Sequence, residues 1–138
     1  MADVVVTVPK GLWAEWLAEG DLARDDGSCA TWNGECEYGF HMRGTRPNIV
    51  PGERVYVVAH GHIRGWAPLC AIVDGERFGG APGSWALLRR GGAAAVTLQA
   101  TGKPGEPATV RGFQGFRYRW WLRNDEIPFP DWQTRGVQ

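Results

Sequence analysis

Arginine and aromatic side chains interleave from Arg111 to Arg123 (RGFQGFRYRWWLR), a combination suited to holding a polyanion that carries flat rings. Aromatic faces stack on bases for about 1–3 kcal/mol each, and guanidinium groups fork onto phosphate. At strand spacing, Phe116, Tyr118 and Trp120 fall on one face, with Arg117 and Arg119 on the other. The same alternation also suits the closing strand of a β-barrel, with the rings inward and the arginines solvated. A second group sits in the polar stretch Arg24 to Gly34 (RDDGSCATWNG), where Trp32 has the setting of a pocket rim. Ser28, Thr31 and Asn33 beside it could read a base edge, or simply cap the loop. Trp13 is a further candidate wall of an aromatic cage, while Trp16, one helical turn away, reads as core. Arg43, Arg46 and Arg64 flank a central hairpin and, with Arg89 and Arg90, are candidates for a phosphate-binding rim. His60 and His62 bracket the hairpin turn, and imidazole titrates near neutral pH, so both are candidate acid–base groups.

Other chemistries are not supported. The spacing Cys29-x6-Cys36-x4-His41 matches no close-spaced zinc pattern, so no metal is expected. Gly79-Gly80 and Gly91-Gly92 lack the context of a phosphate or dinucleotide loop, so no cofactor is expected either.

These residues must be positioned by a fold of short strands. The strongest pairing signal is Pro51 to Val73 (PGERVYVVAHGHIRGWAPLCAIV), two apolar runs around a glycine turn, read as a hairpin with at least one strand buried on both faces. Val4 to Val8 reads as a buried first strand ended by Pro9. Lys10 to Leu22 reads as a helix, with Leu12, Trp13, Trp16 and Leu17 on one face and Gly20 at its end. Glu37 to Met42, Trp85 to Arg90 and Ala93 to Leu98 read as further strands, and the prolines of Ile127 to Trp132 restrict that tail to an extended cap. The expected class is mostly β with one or two short helices (α+β), in one domain spanning residues 1–138 and folded as a small, partly open barrel.

Composition bounds the partners. The net charge is zero, yet residues 1–40 carry two cations against eight anions, and residues 85–123 carry seven cations against one anion. Such a chain can turn a basic face toward an anionic partner, or neutralise its two halves across the fold. Thirteen of the fifteen cations are arginine, and eight tryptophans exceed what one small core needs. Three cysteines without paired spacing, no signal-peptide pattern and no apolar run of bilayer length set the expectation of a reduced cytoplasmic protein with no membrane partner.

The order of strand, helix with WxxW, polar loop and PGERVYVVAHGHIRGWAPL resembles the PUA-like superfamily, particularly its ASCH and EVE branches. Pro51, Gly52, Glu53, Val55, Tyr56, Gly61, Ile63 and Gly65 fit the PGD-x-V-Y-…-G-x-I-x-G form of the hairpin at the middle of that family's pseudo-barrel. The resemblance implies a PUA-like pseudo-β-barrel whose cleft receives RNA, DNA or a modified base. The ASCH signature G-x-K-x-x-E-x-R is absent: Lys10 is followed by Trp13 where its glutamate would fall, and Glu15 comes two positions late. The leading expectation is therefore a binding domain for nucleic acid or a modified nucleobase, with an aromatic-lined cleft and an arginine rim. Two alternatives stay open. One is an ASCH-type ribonuclease or amidohydrolase acting on RNA or a modified nucleoside, for which Lys10 and Glu15 are the obvious pair. The other is a protein-interaction module using exposed tryptophans.

Overall fold

The structure, a computed structural model, describes residues 2–8, 38–78, 80–89 and 96–128. The expected helix over Lys10 to Leu22 and the Trp32 loop lie outside the described residues. Those residues are mostly β, and their only helical pieces are two 3₁₀ turns, Gly75–Phe78 and Arg123–Asp125.

The strands are β1 (Val4–Thr7), β2 (Tyr38–Met42), β3 (Arg54–Ala59), β4 (His62–Asp74), β5 (Trp85–Arg89), β6 (Val96–Leu98), β7 (Phe116–Tyr118) and β8 (Glu126–Pro128). Six of them form one sheet in the order β2-β5-β4-β3-β1-β7, and β6 and β8 form a separate two-stranded ribbon. Only β1 and β3 pair in parallel, in the register Val4↔Val55 and Val6↔Val57. Their continuous β-branched runs follow from burial on both faces. Val4, Val6, Val55, Val57 and Ala59 enter one core with Leu69, Trp85 and Leu87. Val5, Tyr56 and Val58 enter a second core with Ile63, Val110 and Trp121. Each fully buried valine contributes on the order of 1.5–2 kcal/mol of transfer free energy.

The central hairpin turns through His60 (φ 51°) and Gly61 (φ 82°), both left-handed, as the two-residue turn that matches strand twist requires. The second strand does not break at Gly65 and Pro68, as its composition suggests. A bulge between Val57 and Val58 absorbs the irregularity at Gly65. Leu69 N donates to Glu53 O (2.8 Å) on the β3 side, so the nitrogen of Pro68 faces the other way, where the ladder to β5 only begins at Leu69. β4 thus pairs with β3 along its first half and with β5 along its second, and the sheet curls around the first core. The Trp85 and Phe116 rings meet edge to face at 5.9 Å, bringing β5 close to β7, and Asn48 N donates to the Tyr118 hydroxyl (2.8 Å). Among the described residues no ladder joins β7 to β2, so the sheet is curled but open and no closed barrel forms. The second core is covered by the β6–β8 ribbon and by residues 108–121, fixed through Val110 N to Gly61 O (2.8 Å) and Phe113 N to Thr7 Oγ1 (3.1 Å).

Candidate functional site

The aromatic–arginine stretch begins as an edge strand. Antiparallel pairing of β7 with β1 matches Val6↔Phe116, Val5↔Arg117 and Val4↔Tyr118. Phe116 packs on the first core, and Tyr118 stays on the same face, half in water. Arg117 points to the opposite face and lays its guanidinium 4.5 Å over the Phe113 ring. The strand β7 ends at Tyr118. There Arg119 N donates to Asp3 O (2.9 Å) and its side chain turns to the Asp3 carboxylate. The two neighbouring indoles separate: Trp121 is 7% exposed against the edge of Tyr56 at 5.0 Å, whereas Trp120 is 49% exposed and leans edge-on against Trp121 at 4.9 Å.

Beneath this segment lie two charged clusters. The Asp3 side chain, 1% exposed, accepts from Arg119 Nε (2.9 Å), from Arg123 Nη2 (2.9 Å) and from the backbone N–H of Arg54 (2.9 Å). Burial alone would raise the Asp3 pKa, but the Arg54 amide and the two guanidinium groups outweigh it and hold the carboxyl below its ordinary value. In the second cluster the Tyr56 hydroxyl and Trp121 Nε1 (2.9 Å) both donate to Glu126 Oε2. Arg54 Nη1 bridges Tyr56 Oη (2.9 Å) and Glu126 Oε1 (3.3 Å) and stacks over Trp66 at 4.2 Å. Burial, then the Glu126 carboxylate, push the Tyr56 phenol up. Both clusters have their hydrogen-bonding groups engaged within the fold, and they tie residues 119–126 to β1 and β3.

On the outer side of the same segment is a groove of about 510 Å³, within the size range of small-ligand sites. Trp120, Trp121, Leu122, Asp125, Gln99 and Thr101 are among the residues that line it. Leu122 is 70% exposed. The ladder pair Leu98↔Glu126 continues into a backbone hydrogen bond from Gln99 N to Asp125 O (3.0 Å), which sets these two residues side by side. Gln99 Oε1 accepts from Gly105 N (3.0 Å) and steadies the turn Thr101 to Pro107. Gln99 and Asp125 are not among the residues expected from sequence, and Leu122 enters there only as part of the aromatic–arginine stretch.

The remaining expected site residues are dispersed. Lys10, Trp13, Glu15, Ser28, Thr31, Trp32 and Asn33 lie outside the described residues, so no convergence of Trp32 with Arg117 and Arg119 is described. Arg43 is exposed and lines a separate cavity of about 170 Å³ with Met42 and Ser84. Arg46 is paired with Asp74 at 2.7 Å on the surface. Arg64 is a correction: it is fully buried, with Nε donating to Ala59 O (2.9 Å), and therefore does not stand on a rim. His60 serves the turn, and His62 Nδ1 meets Ala108 O (2.9 Å), securing the segment that covers the second core. Arg119 is an anchor of the Asp3 cluster. Arg117 is exposed on the aromatic stretch, as are Arg111 and, in part, Arg123. No family model, curated protein or solved structure matches the chain.

Proposed function

We propose that this chain is a PUA-like domain that binds single-stranded nucleic acid, or a modified nucleobase within it, in the groove walled by Trp120. The curl of the six-stranded sheet, with β5 and β7 in ring contact but unpaired, supports a pseudo-barrel, and the PGERVYVVAHGHIRG hairpin lies at its middle. The observation that carries the binding reading is the half-exposed indole of Trp120 on the groove wall. Its edge is fixed by Trp121, and half of its surface remains available for a base to stack on. Arg117 and the partly exposed Arg123 lie within three residues of it in sequence and supply positive charge for the phosphates. Fluorescence anisotropy with labelled single-stranded oligonucleotides, at about 50 and 200 mM salt, tests this. Affinity falls as salt rises, and Trp120→Ala weakens it about 5- to 150-fold with the fold intact. Weak binding that ignores both salt and the indole overturns it.

The exposure of Leu122 beside Trp120 supports a second reading, an apolar docking surface for a protein partner. Under that reading the oligonucleotides fail while Trp120→Ala and Leu122→Ala abolish capture of one identified partner.

A further inference from the structure

The polar groups of the groove have a pattern, and the pattern corresponds to one base. Gln99 and Asp125 are adjacent across the end of the β6–β8 ribbon, joined by the bond from Gln99 N to Asp125 O. Both residues line the same groove. Gln99 Oε1 accepts the Gly105 amide, and a backbone N–H can meet only the oxygen of that side chain, so the remaining functional group of Gln99 is its NH₂ donor. The Asp125 carboxylate makes no side-chain hydrogen bond or ion pair among the described residues, which leaves two acceptor oxygens. The groove is therefore lined by one uncommitted donor, two uncommitted acceptors and an exposed indole.

Among the four bases, the Watson–Crick edge of guanine alone has the complementary order: an O6 acceptor, then the N1–H and N2–H donors. Adenine places an acceptor at N1, where it would meet a carboxylate oxygen. Cytosine has one donor and two acceptors. Uracil has a single donor, N3–H, between two carbonyls. Adenine, cytosine and uracil each offer a single donor on that edge, so only guanine fills both carboxylate oxygens while its O6 meets the Gln99 amine.

Resting on the nucleobase reading above, we propose that this groove is a guanine-selective seat. Asp125 accepts from N1–H and N2–H, Gln99 Nε2 donates to O6, and Trp120 stacks on the ring.

The test uses uridine heptamers that carry G, inosine, A or C at the central position, with the all-uridine heptamer as reference. The wild-type protein binds the G-centred oligomer tightest. It binds the inosine oligomer, which lacks only the N2 amine, about tenfold more weakly, the equivalent of one hydrogen bond. Asp125→Asn replaces one acceptor by a donor and removes the preference for G over A and C. Gln99→Glu keeps the oxygen on Gly105, places an acceptor opposite O6 and weakens the G-centred oligomer selectively. If all heptamers bind alike and Trp120→Ala weakens them equally, guanine selection is overturned and the stacking reading stands. If none binds, both readings fall together.

Discussion

Within Arg119 to Arg123, alternate residues occupy opposite environments. Arg119, Trp121 and Arg123 turn inward: the arginines to the Asp3 carboxylate, and the indole to Tyr56 and Glu126. Trp120 and Leu122 turn outward to the groove, which Asp125 also lines. The inner groups have their charge and hydrogen-bonding capacity matched inside the protein, so removing one leaves its partners stranded. The outer groups are an indole in edge contact with Trp121, an exposed leucine and a carboxylate without a side-chain partner among the described residues, so removing one leaves folding nearly untouched. Stability and ligand binding should therefore separate along a single stretch of chain, residue by residue.

The inner side yields the largest expected effect. Asp3→Ala strands two guanidinium groups and the Arg54 amide and removes the link from β1 to residues 119–123. Breaking a buried pair in this way costs about 3–5 kcal/mol, and the part-exposure of Arg123 favours the lower end. Chemical denaturation measures it, and a loss under 1 kcal/mol would erase the contrast between the two sides. The same carboxylate predicts an acid limb. Its folded pKa lies below the ordinary 3.8, so its stabilising contribution is complete above about pH 4 and disappears as pH falls through the lowered folded value. In Asp3→Asn that limb is absent, so wild type and variant converge in stability as the pH drops below 4.

Tyr56→Phe comes next. It keeps the ring against Trp121 but deprives the Glu126 carboxylate of a donor and Arg54 of an acceptor, at a cost of about 1–3 kcal/mol. Melting in denaturant should shift accordingly, while the affinity of the folded protein for oligonucleotides stays within about twofold. An equal loss of affinity would mean that the inner cluster also shapes the groove.

How much of this was legible in the sequence follows the reach of each cue. Local periodicity was enough for β1, β2, β5 and the hairpin, because runs such as Val4 to Thr7 and Val55 to Ala59 alternate between two buried faces. The glycine turn was legible too, although the left-handed conformation extends to His60. The inward turn of Arg119 was not, because its partner Asp3 lies at the far end of the sequence. β7 runs out of β1 at Val4, and beyond it the polar Asp3 redirects Arg119 across 116 positions of sequence. Arg64 defied the usual exposure of arginine because the chain folds back at His60-Gly61 and brings the Ala59 carbonyl within reach of its guanidinium. The polar pair Gln99 and Asp125 exists only through the register of β6 on β8, which no short motif encodes. The divided charge of the chain is partly resolved: Asp3, from the acidic end, neutralises Arg119 and Arg123, from the basic stretch.

On the outer side the effects move from stability to binding. Trp120→Ala removes a half-exposed ring whose contact inside the protein is the edge of Trp121. Stability falls by about 1 kcal/mol or less, and oligonucleotide affinity by about 1–3 kcal/mol. A variant that loses stability as severely as Asp3→Ala would place Trp120 with the inner groups.

The smallest expected effect is the most discriminating. Arg117 is exposed, and its visible contact is the face of Phe113, worth roughly 0.5–1 kcal/mol at an exposed site. Arg117→Ala should therefore barely change the denaturation midpoint. If the side chain contacts one phosphate of a single strand, its loss lowers the slope of log affinity against log salt by about 0.7. That change applies equally to every sequence, since a phosphate contact positions the strand without reading a base. Trp120→Ala should do the reverse, lowering affinity while leaving the salt slope as it was. The two variants thus divide the outer side into a charge that follows the backbone and a ring that holds a base. A salt slope unchanged in Arg117→Ala assigns that arginine to Phe113 alone and transfers the phosphate contact to Arg123, the other cation of the stretch that is both anchored and partly open to water.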